Sequence, residues 1–123
     1  MIEGLAHVGV AVKNLDEGIK FFEDNFGAVL DTSMGEGGKM NFGMHTSAVV
    51  KVGTLFFELM EPAQEGVGPV GKFVAEKGEG ILHISLKVDK YQEAKADFES
   101  KGLQTMGDMG VMGFLHPKTC KGM

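Results

Sequence analysis

The sequence predicts an α+β fold of two paired modules, each in β-α-β-β-β order, with the second lacking its last strand. The paired modules are expected to form a curled mixed sheet. Three observations carry this expectation. The chain repeats itself: residues 5–24 (LAHVGVAVKNLDEGIKFFED) align with residues 81–100 (ILHISLKVDKYQEAKADFES) at an offset of 76. Each copy opens on alternating apolar residues, the signature of a half-buried strand. Each copy then turns to helical spacing and stops at a glycine, Gly27 or Gly102.

The offset pairs His7 with His83, Val8 with Ile84, Val10 with Leu86, Val12 with Val88, Glu17 with Glu93 and Phe22 with Phe98. In the first strand, Leu5–Val12, the set Ala6, Val8, Val10 and Val12 is expected to lie under a helix. His7, Gly9 and Ala11 leave the strand on the other, small or polar side. In Leu82–Val88 the set Leu82, Ile84, Leu86 and Val88 matches the apolar face, and His83, Ser85 and Lys87 oppose it. The first helix takes Asn14 or Asp16 as its cap and turns Leu15, Ile19, Phe22 and Phe26 inward. The second takes Asp89 as cap, with Tyr91, Ala94 and Phe98 inward. Strands are expected at Ala28–Ser33, about Asn41–Val52 and Leu55–Glu61, with Gly35–Gly38 as a loop. Gln64–Gly80 reads as a linker holding a short helix, and Leu103–Asp108 and Val111–Leu115 as the closing strands. The chain is therefore one domain, 1–123, with modules 1–62 and 80–123 joined by a linker, 63–79. By the first module's length the chain is expected to run roughly ten residues longer.

Composition narrows the function classes. A net charge of −5 argues against a nucleic-acid partner. No apolar run approaches the roughly 20 residues that span a bilayer, and Met1-Ile2-Glu3 opens no signal peptide, so no membrane role is expected. The lone Cys120 excludes an internal disulfide and suits the cytoplasm. All 12 basic residues are lysines. Any anionic ligand must be held without the two-pronged guanidinium fork.

Two histidines at equivalent repeat positions are the sharpest chemical signal. Either alone is most often a hydrogen-bonded sheet histidine; their coincidence across a duplicated module points to a shared site. Glu58, in Thr54–Pro62 (TLFFELMEP), alternates with Phe56 and Met60. It is either a solvated edge carboxylate or one that needs a partner in apolar surroundings, and no arginine exists to provide one. Two histidines and a glutamate with an open position form a known catalytic set for zinc and for non-haem iron. His7, Glu58 and His83 are thus candidate ligands of a divalent ion lying in a cleft of the curled sheet. Spacing does not choose among cobalt, zinc, nickel, manganese and iron. His45 either faces the cleft or, the expected case, is a satisfied structural histidine, and His116 is expected to be a loop residue. Lys118 and Lys121 make a small basic end suited to a phosphate-bearing ligand, and Cys120 has no base nearby in sequence.

These residues resemble the vicinal oxygen chelate (glyoxalase/bleomycin resistance/dioxygenase) superfamily. Within it they are most similar to the methylmalonyl-CoA epimerase family, through LAHVGVAVKNLDEGIKFFEDNFG, FFELMEP, GEGILHISLKVD and FLHPKTCKGM. The resemblance implies paired modules around a divalent metal held by His7, Glu58 and His83, and a homodimer. It also implies a small-molecule substrate, an acyl-CoA or another enolisable carbonyl compound, isomerised through an enolate-like intermediate. Glyoxalase-type lyase, ring-cleaving dioxygenase and non-catalytic resistance-type binding protein remain alternatives. The family's fourth ligand, a last-strand glutamate that also serves as a base, is expected beyond Met123. Its second base lies on the strand around residues 44–50, yet no acidic residue occurs from Gly37 to Leu55.

Overall fold

A computed structural model describes residues 1–122. The chain forms two compact units: Ala6–Ser85, and Met1–Leu5 with the chain from Leu86 onward. In chain order the strands are β1 (Ile2–Ala11), β2 (Val29–Leu30), β3 (Lys39–Asn41), β4 (His45–Val52), β5 (Leu55–Pro62), β6 (Gly80–Val88), β7 (Thr105–Met106) and β8 (Phe114–Leu115). The helices are α1 (Leu15–Phe26), α2 (Gly68–Lys77) and α3 (Tyr91–Ser100). The main sheet is mixed, in the order β2-β4-β5-β1-β6, with β3 paired to β4. β1 runs parallel to β5, and β4 is antiparallel to β2, β3 and β5.

In Ala6–Ser85 the alternation seen in the sequence sorts side chains to two faces. Val12, Ala48, Val50 and Leu59 pack with Leu15 and Ile19 of α1. Burying such side chains contributes about 1.5–3 kcal/mol each. α1 is well terminated: the Asn14 side chain accepts the Glu17 amide, and Gly27 closes the helix at φ 65°, a left-handed conformation that glycine adopts without a Cβ penalty. The second carboxylate of FFELMEP, Glu61, accepts the Leu15 amide at 2.9 Å and satisfies another first-turn donor.

The other face is not open throughout. Ala11, expected on the small or polar side away from helices, is fully buried with Met60 against Val70 and Val74 of α2. The expected linker contains this ten-residue helix, and it folds back over the histidine face at one end. The expected strand 41–52 is two strands. Asn41 turns the chain by accepting the Gly43 amide at 2.8 Å, with Gly43 at φ 89°, and the Phe42 amide meets the His45 carbonyl at 2.9 Å. Ala28–Ser33 shrinks to two residues of strand because Asp31 takes the Ser33 amide into a local turn.

In the other unit, α3 buries only Ala94. Asp89 does not cap it; its carboxylate binds the Met1 amino group at 2.6 Å, and Lys90 stands at the cap without a side-chain bond. β7 and β8 pair as a separate two-stranded sheet. Ile84 and Leu86, expected under a helix, are 47% and 45% exposed. Leu82 alone of that set joins the α2 cluster. Among the described residues no helix is long and apolar enough to cross a membrane.

Candidate metal centre

β5 and its two neighbours build the site. Gly9 of β1 and Val49 of β4 lie opposite Glu58, so the register puts His7, Gly9, Ser47, Val49, Glu58 and Met60 on one face. β6 adds His83. The three residues expected as ligands meet there. His7 Nε2 lies 3.0 Å from His83 Nε2 and 3.1 Å from Glu58 Oε1. One donor atom from each of the three falls within 4.8 Å of the others. The His7 and His83 rings meet edge to face, centroids 5.2 Å apart.

Gly9 makes this approach possible. A Cβ at position 9 would stand 2.6 Å from the His83 ring, well inside contact distance. The absent side chain is the space the imidazole occupies.

Burial is the largest influence on the Glu58 carboxyl and opposes its ionisation. The hydrogen bond with His7 and the nearby Ser47 hydroxyl, with the charges of His7 and His83, outweigh it and bring the group below the ordinary carboxylate value. Burial also lowers His83 below the usual histidine value; positive charge on His7 and on His45 acts the same way, and Glu58 opposes it. An ionised Glu58 and a neutral His83 are the forms that offer lone pairs to a cation. Ser47 is completely buried, and its Oγ has no partner of hydrogen-bonding geometry among the described residues.

The donor set fits a divalent ion. With bonds of about 2.0–2.1 Å and angles between tetrahedral and octahedral, neighbouring ligand atoms sit about 2.9–3.4 Å apart. The two short distances from His7 Nε2 fall in that range. One imidazole nitrogen carries a single proton or a single lone pair, so hydrogen bonding alone cannot fully satisfy His7 Nε2 toward two neighbours. The side chains of His7 and Glu58 are 24% and 17% exposed, leaving an approach from solvent.

The remaining sequence candidates separate from this trio. His116 Nδ1 accepts the Lys118 amide at 3.1 Å and caps a single 3-10 turn, a local structural role. Lys118 and Lys121 are exposed, and Cys120 is half-buried and unpaired. His45 lies on the same face of the sheet as Glu58, with its ring 5.1 Å from that of Phe42. Its ring nitrogens make no hydrogen bond among the described residues, so it is not the satisfied structural histidine expected. A cleft of about 430 Å³ beside α1, lined by Val10, Glu17, Phe21 and Glu79 among others, includes none of the trio. Gly9 and Ser47 were missed as contributors; only the parity of Ser47 with Glu58's strand partner Val49 could have marked the serine.

A family model described as the glyoxalase/bleomycin resistance protein/dioxygenase superfamily matches residues 6–116. A mouse protein named mitochondrial methylmalonyl-CoA epimerase is 29% identical, covering 97% of this chain and 68% of its own length. Two solved structures are similar throughout. A Streptomyces coelicolor methylmalonyl-CoA epimerase in complex with 2-nitronate-propionyl-CoA has a TM-score of 0.81 at 29% identity, covering 99% of this chain and 93% of that one. A methylmalonyl-CoA epimerase in complex with methylmalonyl-CoA and NH4+ has a TM-score of 0.82 at 29% identity, covering 99% and 90%.

Proposed function

The chain belongs to the glyoxalase/bleomycin resistance protein/dioxygenase superfamily, and from that membership we propose that it is a divalent-metal-dependent epimerase of a 2-acyl thioester such as methylmalonyl-CoA. The convergence of His7, Glu58 and His83 carries the reading. Full-length similarity to the epimerases supports the substrate class.

The hydrogen on a carbon between two carbonyl groups is acidic because its electron pair can delocalise onto oxygen. A bound divalent ion supplies a Lewis acid for that oxygen. The protein's own part is to place the donors. β1 and β5 run side by side, so His7 and Glu58 project together, and Gly9 lets His83 close over β1. Ser47 shares the face of Glu58, and its uncommitted hydroxyl is available to the carboxylate, the kind of outer contact that orients a ligand. Met60 and Val49 flank Glu58 with apolar surface, which strengthens charge interactions at the site.

The test is epimerisation of one methylmalonyl-CoA stereoisomer by protein loaded with cobalt or zinc. The reading expects turnover that a chelator abolishes and the ion restores. Oxygen uptake on a catechol, or turnover of a hemithioacetal instead, would overturn it in favour of a dioxygenase or a lyase.

One observation favours a second reading, a non-catalytic small-molecule binder: β4 carries no carboxylate. Binding of an acyl-CoA with no exchange of its α-hydrogen would select it. A homodimer is proposed from the exposed apolar side chains of Met109, Val111, Met112 and Phe114, and sedimentation reads it. Cytoplasmic placement is likewise proposed, on the unpaired Cys120.

A further inference from the structure

We propose that Lys51 is the anion anchor of this site, holding a carboxylate or phosphate group of the substrate at the open end of the face that carries Glu58. The proposal rests on the epimerase reading and names a residue that selects its substrate.

What covers β5 sets the direction of approach. Met60, two residues beyond Glu58, is 3% exposed and packs with Ala11 against Val70 and Val74 of α2. Phe56, two residues before Glu58 and on the same face, is 39% exposed. Along β5 the face is thus closed toward Met60 and open toward Phe56.

Lys51 stands at that open end. It is the β4 partner of Phe56, as Val49 is of Glu58, so it shares the site face. Its ammonium lies 5.6 Å from the centre of the Phe56 ring, a cation–π distance that holds the long stem over the sheet. The contact leaves N–H donors free, because an ammonium carries three. Lys20, Lys39, Lys90, Lys95 and Lys101 each pair with a carboxylate, whereas none pairs with Lys51 among the described residues. The strands of Ala6–Ser85 hold one further lysine, Lys39. It lies opposite Ala48, on the α1 side of the sheet, and its ammonium meets Asp16.

The chemistry of the substrate class calls for such a group. An acyl-CoA with a carboxylate beside its acidic carbon is anionic both there and at its phosphates. The chain carries a net charge of −5 and has no arginine, so an anion entering this face needs a local cation. One two-residue step along the sheet is about 7 Å, and the four-carbon stem of lysine leans over most of it. A ligand with one oxygen at Glu58 and an anionic group toward Phe56 therefore meets Lys51, while the exposed Phe56 ring and Val29, the other strand partner of Lys51, offer apolar surface to the carbon chain between.

The experiment compares cobalt-loaded wild type with Lys51→Met and Lys51→Arg in steady-state epimerisation of methylmalonyl-CoA. Lys51→Met keeps the apolar stem and removes the charge. It is expected to lower kcat/KM about 10-fold, mainly through KM, as the loss of one hydrogen bond to a charged group does. Its cobalt content and melting temperature should stay at the wild-type values, and Lys51→Arg, which keeps the charge, should recover most of the loss. Added salt should raise the wild-type KM more steeply than that of the methionine variant. The methylmalonyl thioester of N-acetylcysteamine, which has no phosphate, tells the two anionic groups apart: a methionine effect that persists with it assigns the carboxylate, and one that vanishes assigns the phosphates. Wild-type kcat/KM in the methionine variant, or an arginine variant as impaired as the methionine one, would overturn the proposal and leave the epimerase reading standing. Absence of turnover by the wild-type protein would defeat that reading and the Lys51 role with it.

Discussion

Helices α1 and α3 hold equivalent places in the two copies of the repeat, yet only α1 organises a core. α1 begins with an Asn14 cap and a contact from Glu61, ends on a left-handed Gly27, and buries Leu15 and Ile19. α3 begins at Lys90 without a side-chain cap and buries only Ala94. The repeat keeps Leu15/Tyr91 and Phe22/Phe98 apolar, but the buried Ile19 falls on Lys95, and the end chemistry changes as well. In the second copy Tyr91, Ala94 and Phe98 stand for the larger inward surface of the first, and Asp89 is diverted to the Met1 amino group. Sequence similarity between copies therefore forecasts topology better than it forecasts where stability resides.

The largest break of this comparison comes from the core itself. Leu59→Ala, at a completely buried position in the α1 cluster, is expected to cost about 2–5 kcal/mol in urea unfolding. Phe98→Ala, on the half-buried face of α3, should cost about 1–2 kcal/mol because less of its surface leaves water on folding. Equal losses would contradict the asymmetry.

A second break concerns the site and the pseudo-symmetry of the strands. Gly9→Ala puts a methyl group into the space of the His83 ring and is expected to weaken metal binding about 10–100-fold by calorimetry, as lost ligand orientation does. Ser85, the repeat equivalent of Gly9, should tolerate alanine with no such loss.

Smaller effects belong to the helix ends. Asn14→Ala should lower stability by about 1 kcal/mol through the lost cap. Lys90→Asn should raise it by about 0.5 kcal/mol, since Lys90 already has the extended conformation of a cap residue and lacks only the acceptor. Melting curves of the two variants read both signs.

The legibility of the molecule divides along the same line. Alternation along β1 and β5, with the repeat linking His7 to His83, was enough to bring His7, Glu58 and His83 to one face. Asn14 and Gly27 were legible because capping is local. Ala11 was misplaced because the helix that covers it comes from the expected linker, more than fifty residues later, and strand parity gives a face but not what packs on it. The Asn41–Gly43 turn was written in the sequence and was overridden by the apolar run around it. For His45, position could be read but partners could not. Whether a ring nitrogen is satisfied depends on the groups folded around it, and here none of the described groups bonds it.

The central claim is that His7, Glu58 and His83 hold a catalytic divalent ion. Metal analysis after cobalt or zinc loading and exhaustive dialysis tests it most directly, on wild type beside His7→Ala, Glu58→Ala and His83→Ala. The account predicts one ion per chain in wild type and its loss in each variant, with the variants still folded by circular dichroism. Wild-type protein that retains no ion, or variants that retain it undiminished, would contradict the account.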